Sequence, residues 1–208
     1  MPGSPSNRAL LIVISAPSGA GKTTLCQQLT AADPRIARAI TCTTREPRPG
    51  ERDGVDYYFL DPESFLRRVQ AGEFLEHATV HGNRYGTLNR EVWSRLRNGQ
   101  DVLLNVDVQG AAAIRTRAQE DDELRIAMVQ VFLSTASLAE LETRLRKRNQ
   151  DAEDVIRRRL GAAREEIAHW RHFDYLLVST SIPEDLRRMQ VIVETERMRT
   201  SRATPPQV

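Results

Sequence analysis

One junction constrains this chain more than any other. An apolar run from Leu10 to Ser15 passes without a break into Ala16-Pro-Ser-Gly-Ala-Gly-Lys-Thr23, and a helical pattern follows at once. Strand, glycine turn and helix in that order make a phosphate-binding loop. Gly19 and Gly21 let backbone N–H groups turn inward around phosphate oxygens, Lys22 reaches the β- and γ-phosphates, and Thr23 has a hydroxyl to offer Mg²⁺. The helix that opens near Lys22 adds its positive N-terminal end. The expected seat of a nucleoside triphosphate is therefore Ala16, Pro17, Ser18, Gly19, Ala20, Gly21, Lys22, Thr23 and Thr24, with Thr23 as metal ligand. The general pattern carries glycine where this chain has Ala16.

Short apolar runs at Leu10–Ser15, Asp101–Val106, Ala127–Leu133 and Tyr175–Ser179 read as strands, and helical patterns at Lys22–Ala31, Arg90–Arg97 and Ala111–Arg117 fall between them. Strands alternating with helices predict an α/β fold: a mostly parallel central sheet flanked by helices. Ser137-Leu-Ala-Glu140 and Ser181-Ile-Pro-Glu184 are capping boxes, and Asp61-Pro62 places proline in a first helical turn. Asp151-Ala-Glu-Asp154 is an acidic start for a helix running to about Trp170. Nine of the eleven glycines lie between Gly19 and Gly110, so turns concentrate there. Within that stretch residues 38–88 lose the strand–helix rhythm: short strands at Tyr57–Leu60 and Phe74–His81 and one helix at Pro62–Ala71 are joined by glycine turns. They read as an inserted subdomain.

A formal net charge of +2 over 208 residues gives no reason to expect a nucleic-acid surface. Cys26 and Cys42 are too few for a disulfide framework or a zinc site, which suits reduced thiols in a cytoplasmic protein. The early apolar run is far shorter than the ~20 residues a membrane helix needs, and it leads into the glycine loop instead of a cleavage site. Residues 1–8 and 203–208 read as flexible tails.

The stretch Ile40-Thr-Cys-Thr-Thr-Arg-Glu-Pro-Arg-Pro-Gly-Glu-Arg-Asp-Gly-Val-Asp-Tyr-Tyr-Phe59 suggests what receives the phosphate. Arg45 and Arg48 stand three residues apart with Tyr57 shortly after, and two forked guanidiniums with a phenol suit a monophosphate dianion. Loop and stretch together resemble the guanylate kinases, in the family's motif order from about Leu10 to Val178, and these also carry alanine at the position of Ala16. The resemblance implies a P-loop kinase fold over 9–202, with a core (9–37, 89–134, 169–202), a GMP-binding subdomain (38–88) and a helical lid (135–168). It implies transfer of the γ-phosphate of ATP to GMP, with Mg²⁺, as a step in guanine nucleotide supply. It needs no nucleic acid, membrane or obligatory protein partner. By that similarity Arg45, Arg48, Tyr57 and Tyr85 hold the monophosphate, and Thr41, Glu76 and Thr87 face the base with Asp107 nearby. One carboxylate accepts from both guanine N1–H and the exocyclic amino group, whereas adenine would set its N1 acceptor against the same lone pairs.

The same resemblance makes Lys22, Arg48, Arg148 and Arg159 the catalytic charges, the last two as lid arginines closing on the γ-phosphate. Arg144, Lys147, Arg157 and Arg158 read as solvated helix faces. On Val102-Leu-Leu-Asn-Val-Asp107 the family usually has two aspartates; here the first is Asn105, and a period of two points Asp107 the same way. Ser179 stands where the family usually has an asparagine that contacts adenine. His77, His81, His169 and His172 form no ligand set, and Trp93 and Trp170 are expected to pack helices on the sheet. Two other readings stay open: phosphorylation of another phosphorylated small molecule such as a ribose bisphosphate, against which Thr41 and Glu76 argue, and a scaffolding module, against which the retained loop and lid arginines argue.

Overall fold

The computed structural model describes residues 8–80, 82–147 and 152–203. Two sheets organise them. The larger is five-stranded and parallel throughout, formed by β1 (Leu11–Ser15), β2 (Ile36–Arg38), β7 (Asp101–Asn105), β8 (Met128–Ser134) and β9 (Tyr175–Val178) in the order β2-β7-β1-β8-β9. Strand β1 is buried on both faces, as a near-continuous apolar run requires. Ile12 and Ile14 face α1 (Lys22–Ala32) and α8 (Ile182–Arg197), while Leu11 and Val13 face α3 (Asn89–Arg97), α4 (Val108–Arg117) and the short α5 (Asp122–Ala127). The helices α6 (Leu138–Lys147) and α7 (Glu153–Ala168) send Leu141, Leu145 and Ala163 into the first of these cores. Those two helices of the expected lid thus share a core with the central sheet.

The second sheet has the order β4-β3-β6-β5, from β3 (Thr41–Thr43), β4 (Tyr57–Phe59), β5 (Phe74–Val80) and β6 (Asn83–Leu88). With α2 (Pro62–Gln70) it closes a small core of its own from Cys42, Phe65, Phe74 and Leu88. Pro62 sits in the first turn of α2, and Asp61 accepts from the Ser64 N–H at 2.8 Å, which fixes where that helix begins.

Several expectations are corrected. β2 and α5 escape sequence reading because three and six residues are too few to show a period; β2 exists through pairing with β7, Ile36 opposite Asp101. β7 ends at Asn105, so Asp107 is not a strand residue. It caps α4, accepting from the Gly110 N–H at 2.8 Å, and starts that helix at Val108 instead of Ala111. Trp93 packs against the second core as expected, but Trp170 lies in a 3₁₀ turn, 38% exposed, beneath the Arg171 guanidinium. The start expected at Asp151, along with His81 and Arg148, falls outside the described residues.

Candidate active site

The phosphate loop leaves β1 at Ser15 and turns at Gly19 and Gly21, whose φ values of 97° and 98° put both in the left-handed region that glycine tolerates. Gly19 has a second reason to lack a side chain: a Cβ there would stand 2.7 Å from Leu145 Cδ2 on α6. Lys22 reaches across the loop and donates to the Val106 carbonyl at 2.5 Å. Burial lowers its pKa below the ordinary lysine value, against the opposing influence of Cys26, Asp107 and Glu166. A cavity over the loop is walled by the residues from Ala16 to Thr24 apart from Ala20 and closed by Val80, Asp107 and Glu166. The Glu166 carboxylate, from α7, accepts from the Ser18 N–H at 3.3 Å.

A cavity of about 230 Å³ adjoins it and shares Lys22. Strand register builds its wall. Tyr57 pairs with Thr41, Thr41 with Thr87, and Thr87 with Glu76, so residues from four strands form one lateral row on one face of the second sheet. Tyr85, two residues from Thr87, shares that face. A bulge sets the row: Phe74 lies opposite Leu88 but Glu76 opposite Thr87, leaving Leu75 as the extra residue. Phe74 then enters the small core, Leu75 the main core, and Glu76 the cavity wall.

Glu76 is 5% exposed and accepts from the Thr87 hydroxyl at 2.7 Å. Burial pushes its carboxyl up to about 7, against the Thr87 hydrogen bond and with Asp107 adding to the rise. Its other oxygen lies against α4, where a Cβ on Gly110 would come within 2.8 Å of Oε2. Thr41, Tyr57, Glu76, Tyr85, Asn105 and Asp107 line the cavity, while Thr87 is fully buried behind Glu76 and supports it.

Neither expected phosphate arginine is among the residues lining this cavity. Arg45 makes a forked pair with the Glu51 carboxylate at 2.9 and 2.8 Å and lies over the Tyr57 ring, whereas Arg48 is exposed at the turn. Arg38, which sequence reading passed over, does line the cavity, its guanidinium held by the carbonyls of Val55 and Asp56. Its one signal was position, just ahead of the acceptor stretch.

On the lid, Arg159 is half-buried on α7. Arg144 overturns the expectation of a solvated face. It donates to Glu140 at 2.6 Å, to the Ser179 hydroxyl at 2.9 Å and to the Ala20 carbonyl at 3.4 Å, tying α6 to both the phosphate loop and the end of β9. A third cavity, of about 480 Å³, opens there between the loop, α6 and the start of α8. Cys26 and Cys42 are buried, each thiol pushed up to about 12 by desolvation. Among the described residues no three His, Cys, Asp or Glu side chains converge on a metal position, and no helix is long and apolar enough to cross a membrane.

A sequence-family model described as guanylate kinase matches residues 8–196. A guanylate kinase of Cereibacter sphaeroides is 43% identical over 197 residues, 95% of this chain and 91% of that protein. One of Alcanivorax borkumensis is 44% identical, covering 95% and 92% of the two chains. The crystal structure of guanylate kinase from Anaplasma phagocytophilum superposes with a TM-score of 0.76 at 32% identity, over 96% of this chain and 92% of that one.

Proposed function

The chain belongs to the guanylate kinase family, and from that membership we infer how its residues divide the work. It is a nucleoside monophosphate kinase that transfers the γ-phosphate of ATP to GMP, giving ADP and GDP. The phosphate loop, residues 16–24, holds the triphosphate. GMP enters the neighbouring cavity, so that Lys22 lies between donor and acceptor.

The observation that carries the acceptor assignment is Glu76, a buried carboxylate in a cavity wall, with Thr41 in the same lateral row one strand beyond Thr87. As a carboxylate it accepts from guanine N1–H and the amino group, while the Thr41 hydroxyl donates to O6. Adenine, with an acceptor at N1, leaves buried groups unpaired. Tyr57 and Tyr85 face the monophosphate, and Arg45 and Arg48 reach it when the second sheet closes over GMP, Arg45 exchanging Glu51 for phosphate. That closure treats residues 38–88 and 135–168 as parts moving on the core.

The GMP phosphate is already nucleophilic, so catalysis is positioning and neutralisation of charge. Lys22, Arg48, Arg148 and Arg159 surround the transferring group. The Thr23 hydroxyl in the first turn of α1, with the Asp107 carboxylate and Asn105 amide across the cleft, offers hard oxygen donors that suit Mg²⁺. Held there with ATP, Mg²⁺ would offset the negative charge of the triphosphate. The two reactants are nucleotides, and two buried free thiols suit a cytoplasmic setting. A coupled assay against GMP, dGMP, AMP, CMP and UMP tests the reading: GMP and dGMP should react, and AMP turnover comparable to GMP would sink the role of Glu76.

A further inference from the structure

Arg38 lines the acceptor cavity from the last position of β2, in the parallel sheet. Its backbone is built into the main body. It pairs with Leu103 of β7, its carbonyl accepts from Arg95 on α3 at 3.1 Å, and the next residue, Ala39, is buried in the second core. Its side chain reaches toward the other sheet. Nη2 donates to the Val55 carbonyl at 2.9 Å and to the Asp56 carbonyl at 3.0 Å, just ahead of Tyr57 on β4.

A guanidinium carries N–H donors on three nitrogens. The two carbonyls take those of Nη2, and those of Nε and Nη1 find no acceptor among the described residues. The two carboxylates that line the cavity are engaged elsewhere, Glu76 accepting from the Thr87 hydroxyl and Asp107 from the Gly110 N–H. Arg45 differs, since its fork is closed on Glu51. Position matters as much as charge. In the lateral row of Tyr57, Thr41, Thr87 and Glu76, Arg38 stands at the Tyr57 end, three strand spacings or roughly 14 Å from the carboxylate. An acceptor whose base meets Glu76 has its phosphate to place toward that far end. A fork with spare donors and no carboxylate partner matches such a dianion.

We propose that Arg38 is a binding residue for the acceptor's phosphate, holding it from the core side before the second sheet closes and brings Arg45 and Arg48. The proposal rests on the reading of the chain as a GMP kinase. The two carbonyl bonds orient the guanidinium in advance, so little order remains to be imposed when the phosphate comes. Its backbone belongs to the parallel sheet, so this grip does not wait for the second sheet to move.

Calorimetry with GMP and with guanosine separates a phosphate contact from a tether that only shapes the cavity. Arg38→Gln keeps an amide N–H for the carbonyls and loses the charge. It should weaken GMP about tenfold or more and leave guanosine within about twofold, which also shows that the variant is folded. Equal losses for both ligands would mean a tether, and unchanged GMP affinity would mean no contact; either overturns the proposal. Arg38→Lys restores a cation and should recover part of the lost GMP affinity with guanosine again unmoved, and no recovery would count against a charge contact. In steady state Arg38→Gln should raise KM for GMP by more than it lowers kcat, as a contact made before the transition state does. A loss confined to kcat would move Arg38 to the transferring group and overturn capture before closure. Failure of the acceptor reading looks different, because the wild type would then bind AMP as tightly as GMP. An Arg38→Gln loss for AMP against adenosine would still keep this inference, whereas an active GMP kinase with KM unmoved in Arg38→Gln would sink it alone.

Discussion

Glu76 has opposite effects on folding and on binding. Burial holds its carboxyl at about 7 in the folded chain, above the ordinary 4.5. Between those values the folded protein keeps a proton that the unfolded chain has released. Stability from this group is therefore fully present below 4.5 and is lost as pH rises to 7, on the order of 3 kcal/mol in all. Glu76→Gln should accordingly raise stability in urea unfolding at pH 8 and change it little at pH 4.5; equal gains at both would show that the buried charge is not the cause. Binding runs the other way, since guanine needs the carboxylate. GMP affinity should fall as pH drops through 7, and in Glu76→Gln, whose amide sets a donor against a donor, kcat/KM for GMP should drop with ATP binding spared. An undiminished value would remove Glu76 from base reading. Lys22 presents a simpler case. Its ammonium touches both cavities, so Lys22→Met should cut turnover by about 10²-fold or more while calorimetric GMP affinity changes little. Near-normal turnover would sink the phosphate-loop assignment.

At the scale of elements, α7 makes the divided test. Arg159→Ala should lower kcat by about 10²-fold or more and leave GMP binding to the free enzyme nearly intact, as a contact made only in the transition state does. Loss of GMP binding with kcat kept would move Arg159 to the acceptor side. Elements also show what the sequence made legible. The apolar strands of the central sheet and the caps at Asp61 and Ser181 could be read because local pattern determines them. β2 could not, because pairing with β7 makes it a strand. Asp107 was misplaced by extending a period of two past the point where the chain turns into a helix. Arg144 was misread because its partners, Ser179 and Ala20, are 35 and 124 residues away, and nothing local announces them. The residues proposed for the site were nameable through the family's motifs, but not how the register sets Tyr57, Thr41 and Glu76 in one row.

For the whole molecule, the two sheets differ in what holds them. The parallel sheet is sandwiched between two large cores, whereas the acceptor sheet rests on a few residues around Phe65 and Phe74. Fewer buried contacts mean a lower free energy of local opening. Amide hydrogen exchange should therefore be faster in β3, β4 and β6 than in β1, β7 and β8, and GMP should slow the first group selectively. Uniform protection across both sheets would show a single cooperative unit and count against independent movement of residues 38–88.

The extra residue at Leu75 works like a reading frame. Upstream of it the chain is in register for packing, downstream for recognition, and a single insertion or deletion between Phe74 and Glu76 would turn the carboxylate to the far face without altering one functional side chain. Substrate choice in this lineage is therefore exposed to changes in length as well as in chemistry. A search for variants with a new acceptor should scan single-residue indels at this position alongside substitutions at Glu76 itself.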